Sequence, residues 1–435
     1  MLPNRTRSLL LVGFLVFAAA LPAFADIRDL QFFAPADVSP YGNGPQPPEG
    51  FFFTFDQMFW YINRPSVQPI GRPGGTREVW FGPDAGDFFV QTNTHDTALL
   101  RSAELSGSQR YEVGRILDRW GWFVSAYNLR PQHQESTFRN VGVVFEDPEY
   151  QVGANPPRRF LQGRYELDTD PVTYSDLLDL PVLFDTMTVT NRVEHWNVEL
   201  NMMYRTRQLH NGGFLEFFAG ARYLEFDDQF MVNGFSPLLE AEDDEDDNGD
   251  DNGDDDDNGN DNGNGNGEGE HPLLGILDDS IWDTKADNHV IGPQIGVRWF
   301  RQTGRWRLSG EGRFFAGINN QSITQYGVLG SELDPNELVS GRPESVSAQG
   351  FSHRATALEF SPAWEVRANL HYQFTRAISF KVGWTGFWMD SVARASSMVD
   401  YEVNNLSNAS MGINMANNRQ AVFMHGMNIG VEVNR

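Results

Sequence analysis

Between Glu359 and Tyr372 apolar and polar residues alternate almost without a break. Phe360, Pro362, Trp364, Val366, Ala368, Leu370 and Tyr372 fall on one phase, and Glu359, Ser361, Glu365, Arg367, Asn369 and His371 on the other. A period of two marks a β-strand with one apolar and one polar face. In a soluble sandwich the apolar face points inward; in an outer-membrane barrel it points outward, into lipid.

The same pattern recurs in nine other stretches. Phe51 to Ile62 is aromatic on one phase, interrupted by Gln57. Tyr111 to Leu117 and Trp120 to Leu129 flank the short turn Asp118-Arg119. Trp196, Val198, Leu200, Met202 and Tyr204 oppose Asn197, Glu199, Asn201 and Arg205. Leu215, Phe217, Ala219, Ala221 and Tyr223 oppose Glu216, Gly220 and Arg222. Ile291, Pro293, Ile295, Val297 and Trp299 oppose Gly292, Gln294, Gly296 and Arg298. Trp306, Leu308, Phe314 and Ala316 oppose Arg307, Ser309, Glu311 and Arg313. Phe380, Val382, Trp384 and Trp388 oppose Ser379, Lys381 and Thr385, and the final stretch sets Phe423, Met427, Ile429, Val431 and Val433 against Asn428, Gly430, Glu432 and Asn434.

The connections alternate too. Short links near residues 118, 210, 303 and 374 separate long polar segments at roughly 63–108, 130–193, 227–288, 318–358 and 390–420. That rhythm is the one an outer-membrane barrel requires, with tight periplasmic turns and long external loops. Lipid offers no hydrogen bonds to a sheet edge, so such a sheet must close. The pattern therefore predicts an all-β fold: an up-and-down antiparallel transmembrane β-barrel of about 10–12 strands, each near the length a tilted membrane strand needs. Weaker strands near Leu99 or Val141 would raise the count. Pro293 and Pro362 stand inside predicted strands, where a proline cannot donate to the ladder.

The first residues agree with export. Arg5 and Arg7 precede an apolar run from Leu9 to Ala20, and Ala23-Phe24-Ala25 follows. This is the form of a secretory signal peptide over 1–25, cleaved after Ala25. Residues 26–50 read as an extended lead-in, 51–435 as the barrel domain and 240–270 as a disordered insert within it. Cysteine is absent, which excludes a small disulfide-stapled module. The net charge of −26 is concentrated: Glu242 to Glu270 hold 15 acidic residues and no Lys or Arg. This Asp/Asn/Gly tract cannot bury apolar surface. No basic stripe points to nucleic acid.

Two G-x-R-aromatic stretches, Gly220-Ala221-Arg222-Tyr223 and Gly296-Val297-Arg298-Trp299, are similar to repeated strands of the planctomycete β-barrel porin family BBP7, as are Ser106 to Leu117 and His425 to Val433. The resemblance runs from about Phe51 onward. It implies an outer-membrane barrel and supplies no catalytic residues.

Alternation places Glu199, Glu216, Glu311, Glu365 and Glu432 inside with Arg222, Arg298, Arg307, Arg313, Arg367 and Lys381. They are pore-lining candidates, or else a self-paired network filling a narrow lumen; the slight cationic excess would favour anions. Barrels of eight strands leave room only for side chains, and sixteen or more leave a channel. Trp196, Tyr204, Tyr223, Trp299, Trp306, Trp364, Trp384 and Trp388 suit lipid-facing interfacial girdles. Asp244, Asp246, Asn248 and Asp255 resemble part of an EF-hand loop, but the twelfth position is Asp rather than Glu and no flanking helices are evident. They support at most weak Ca²⁺ binding, with no other cofactor expected. His195 and His371 fall on the inner phase, where a Ser-His pair could sit, yet no hydrolase, metalloprotease or P-loop motif occurs, and no enzymatic activity is expected. The expected role is porin-like passive diffusion of small solutes. The alternatives are a structural or adhesive surface barrel without an open pore, and a soluble exported carbohydrate-binding β-sandwich. Outer-membrane lipid, barrel-assembly machinery and small solutes are the expected partners, and self-association stays open.

Overall fold

The computed structural model describes residues 49–71, 76–80, 87–91, 95–100, 106–146, 179–210, 212–235, 280–329, 350–403 and 410–434. The signal segment, the lead-in up to residue 48 and the acidic tract, with Asp244, Asp246, Asn248 and Asp255, lie outside them.

Ten strands form one closed antiparallel barrel. They are β1 (Gly50–Ile62), β2 (Ser106–Leu117), β3 (Trp120–Glu146), β4 (Asp179–Arg205), β5 (Gly213–Phe235), β6 (Ser280–Thr303), β7 (Trp306–Val328), β8 (Gly350–Gln373), β9 (Ile378–Val392) and β10 (Gln420–Asn434). Each strand pairs with its neighbour in sequence, and β1 closes the ring against β10, Phe55 opposite Val431 and Phe59 opposite Met427.

The apolar phase faces out. Leu117, Trp120, Met202, Ile291, Ile295, Phe360, Val366 and Ile429 are among the exposed large side chains, while Glu199, Arg222, Arg313 and Glu365 are buried. A β-sandwich would bury the first set. From Tyr372 to Phe360 the outward face of β8 runs about 40 Å along the strand, or about 28 Å in height at a tilt near 45°. That matches the apolar band of about 25 Å that such barrels present to lipid.

The count of ten lies at the low end of the expected range. Val141 belongs to the outer part of β3, and Leu99 to a short 3-10 turn over Thr97–Leu99, so neither adds a barrel strand. Strand length differs from expectation. β3 and β4 have 27 residues each and β5 to β8 have 23 or 24, whereas β1, β2, β9 and β10 have 12 to 15. At about 3.3 Å per residue, 27 residues span about 90 Å and stand about 60 Å tall at the usual tilt. Six of the ten strands thus continue far beyond the lipid band. Much of what reads as polar loop at 130–193, 227–288 and 318–358 is the extension of these strands.

The prolines sit where the ladder allows them. Pro293 falls in an interruption of the β6–β7 pairing, between Ile291 opposite Ile318 and Gln294 opposite Phe315. Pro362 stands one residue before β8 begins to pair with β9 at Ala363 opposite Met389.

Candidate functional site

The interior is the place where function would reside, and side chains fill it in layers. Nearest the short turns lies a charged layer, built by the inward phase of every strand except β3. All eleven charged residues expected on the inner phase point there. Asp56, Arg110, Glu112 and Arg205 join them. Together they are eight cations and seven carboxylates.

Many of the contacts cross the lumen. Arg298 of β6 reaches Glu112 of β2 at 3.4 Å while holding Glu311 at 2.5 Å and Glu216 at 3.3 Å. Arg313 of β7 bonds Glu199 of β4 and its own neighbour Glu311. Arg222 of β5 bonds Glu365 of β8 at 2.8 Å and Asn197 of β4 at 2.7 Å. Arg367 bonds Glu365 at 2.5 Å. Arg205 bonds Glu216 at 2.7 Å, and Arg307 bonds Glu432. β2 and β6 stand on nearly opposite sides of a ten-stranded ring, so a bond between them spans the lumen at that level.

At the seam, Asp56 of β1 accepts from Arg110 of β2 at 2.6 Å and from Lys381 of β9 at 2.7 Å. The Lys381 contact passes over β10, where Gly430 stands opposite both Asp56 and Lys381. A Cβ at Gly430 would overlap the Asp56 carboxylate and the Phe55 carbonyl, so the ion pair requires glycine there.

A cavity of about 80 Å³ opens at the turn side, between Arg110, Arg307, Ser309, Arg367, His371, Lys381 and Glu432. Ser309, His371 and Glu432 fall in the order of a hydrolytic triad: Ser309 Oγ is 3.4 Å from His371 Nε2, and Glu432 is 3.3 Å from Nδ1. Arg307, however, lies 2.8 Å from the same Nδ1. The same nitrogen thus faces a donor in Arg307 and an acceptor in Glu432, and Arg307 also bonds Glu432. His195, the other inner histidine, lies between the Tyr127 hydroxyl at 2.8 Å and the Glu225 carbonyl at 2.7 Å. Among the described residues, no group of three or more acidic or histidine side chains is placed to hold a metal ion.

Above the charges comes an apolar layer: Met58, Trp60, Tyr127, Phe226, Phe315, Phe387, Met389 and Met424 pack into one cluster across the barrel. Above that, the chain leaving β9 turns into the lumen. Ser391 takes a left-handed backbone conformation (φ 57°) where this turn begins, and its carbonyl accepts from Asn319 at 3.0 Å and Gln321 at 3.1 Å. Asn288 clamps Ala393, accepting from its N–H at 2.9 Å and donating to its carbonyl at 2.9 Å. Arg394 is buried against Asp228, which also accepts from Asn191 at 2.7 Å. Ala395, Met398, Val403 and Met411 then pack against Val141, Phe145, Phe184, Phe230 and Trp282 from the tall part of the wall.

The outward aromatics sort into two rings and an interval. Tyr204 packs on Trp120 at 5.0 Å and Trp306 on Tyr372 at 4.9 Å near the short turns. Trp196 packs on Tyr223 at 5.2 Å and Trp364 on Trp388 at 4.9 Å toward the other edge of the belt. Trp299 and Trp384 lie between, in one row with Gly310 and Ala368.

Asp56, Arg110 and Glu112 are absent from the residues singled out by sequence. The signal was present: Asp56 is on the phase opposite Phe51, Phe53, Phe55, Phe59 and Tyr61 of β1, and Arg110 and Glu112 oppose Tyr111 and Val113. Arg394 and Asp228 carried no such signal, because both lie in segments that read as loop.

A closed β-barrel with a lipid-width apolar belt and two aromatic rings is the architecture of an outer-membrane barrel protein. The family model described as "Putative beta barrel porin-7 (BBP7)" matches residues 274–434, which hold the last five barrel strands. A comparison with curated protein sequences finds no match. Among solved structures, the outer membrane protease OmpT of Escherichia coli is 7% identical with a TM-score of 0.39, covering 89% of this chain and 97% of its own. The toluene transporter TbuX of Ralstonia pickettii is 8% identical with a TM-score of 0.24, covering 92% and 95%. The toluene transporter TodX of Pseudomonas putida is 9% identical with a TM-score of 0.23, covering 90% of each chain. These likenesses carry nothing about activity.

Proposed function

We propose that this outer-membrane barrel is closed to solutes in its resting state and serves as a structural surface barrel, holding a tall, loop-filled wall outside the membrane. The observation that carries this reading is the set of ion pairs that cross the lumen, Arg298–Glu112 and Arg222–Glu365 foremost. An apolar layer and the inward-turned residues 393–403 and 410–418 lie above them. The reading assigns no catalytic role to the interior histidines. Purified full-length protein in planar bilayers tests it: a silent membrane is expected, and discrete conductance steps from protein verified as folded would refute it.

The second reading, porin-like passive diffusion of small solutes, is favoured by the porin family match over residues 274–434. It requires residues 393–403 and 410–418 to leave the lumen and the apolar layer to part. Steps that appear in the same recordings support it, and the eight-to-seven excess of cations then predicts a reversal potential that favours anions.

A further inference from the structure

The end of the barrel defined by the short turns has a composition of its own. Each of its four turns carries one arginine: Arg119 in 118–119, Arg207 in 206–212, Arg305 in 304–305 and Arg376 in 374–377. Arg115 and Arg301 add two more, on the outward phase of β2 and β6 and within two residues of the strand ends. Among the described residues, the acidic groups at this rim are Asp118 in the first turn and Glu49 just before β1.

Position matters as much as number. Arg115 lies with its guanidinium 4.8 Å from the centre of the Phe51 ring, and Arg301 stands opposite Leu308. Both neighbours belong to the lipid-facing phase. The Trp120–Tyr204 and Trp306–Tyr372 pairs form the aromatic ring at the same end. Aromatic rings of this kind mark the headgroup level of a bilayer. The arginines therefore stand at, or just beyond, the depth of the phospholipid phosphates.

Residue type sharpens the reading. The chain has only two lysines, Lys285 and Lys381, and neither is at this rim. A guanidinium presents a planar fork that binds phosphate through two parallel hydrogen bonds. Its stem can lie along apolar surface while its head stays in the polar region. Inside the barrel arginine charge is matched nearly one for one by carboxylates; at the rim, among the described residues and leaving Arg376 aside, five arginines face two carboxylates, an excess that suits an anionic ligand.

We propose that this rim is a binding collar for the phosphates of anionic phospholipids in the leaflet that meets the short turns. The proposal is independent of whether the lumen conducts.

The test uses the whole protein reconstituted in phosphatidylcholine bilayers, with spin-labelled phosphatidylglycerol or spin-labelled phosphatidylcholine as the probe. The fraction of motionally restricted label reports contact with the barrel. Severalfold preference for the phosphatidylglycerol label is expected at low salt, weakening as salt screens it. The variant Arg115→Gln/Arg207→Gln/Arg301→Gln/Arg305→Gln, verified as a closed barrel by its heat-dependent gel mobility, should lose the preference. Equal restriction of the two labels by the wild type would overturn the proposal without recourse to any variant. So would a preference that survives the four substitutions intact. Binding of soluble polyglutamate with no phosphatidylglycerol preference would assign the collar to a soluble acidic partner, and the lipid assignment would fall.

Discussion

Asp56→Asn isolates what the seam ion pair contributes. The carboxylate is 1% exposed, with Arg110 at 2.6 Å and Lys381 at 2.7 Å. Asparagine keeps the shape and removes the charge, leaving two buried cations without their common partner. Breaking a buried pair in this way costs about 3–5 kcal/mol. A second route gives a similar figure: two unit charges about 5 Å apart at an effective dielectric near 20 repel by about 3 kcal/mol. The assay is urea unfolding in detergent micelles, with the folded fraction read from the heat-modifiable gel band. The double variant Asp56→Asn/Lys381→Met should regain at least half of the loss, because it leaves one cation where there were two. A loss below about 1 kcal/mol, the range of an exposed pair, would refute the reasoning, as would failure of the second substitution to restore stability.

Gly430→Ala should weaken the same seam without touching a charge, since the added methyl overlaps the Asp56 carboxylate; a lower urea midpoint in the same gel assay checks it. Arg394→Ala strips the buried Asp228 of its cation and should cost about 3–5 kcal/mol. Its bilayer recordings should stay silent, because the apolar layer beneath is intact. Single-tryptophan variants should show depth-dependent quenching by brominated lipids: Trp384 strongest with bromines deep in the acyl chains, Trp364 and Trp388 with bromines near the headgroup.

The belt was legible from sequence because lipid enforces alternation. Wherever a strand meets hydrocarbon, its outward phase must be apolar, and the inner phase stands out against it, as at Glu365 and Arg367. Beyond the lipid that contrast vanishes. On outer β3, His133 and Glu135 face water while Val141 and Val143 face an interior that residues 393–403 and Met411 complete. With polar residues outward and apolar ones packed on another segment, the tall wall has the composition of loop. The filled lumen was half legible. The charges were assigned to the interior, but which bond which depends on barrel diameter and strand stagger, and neither leaves a mark on local sequence.

The charged layer also bears on biogenesis. Its longest-range members join the two ends of the chain: Asp56 meets Lys381 only once β1 has found β10, the pairing of greatest sequence separation in the barrel. Until that moment the same groups are hydrated, and they keep an aromatic-rich polypeptide compatible with water on its way to the membrane. Ring closure converts them from solubilising groups into cross-braces. High contact order makes such a step late and slow, so the seam is the natural place for the commitment point of assembly.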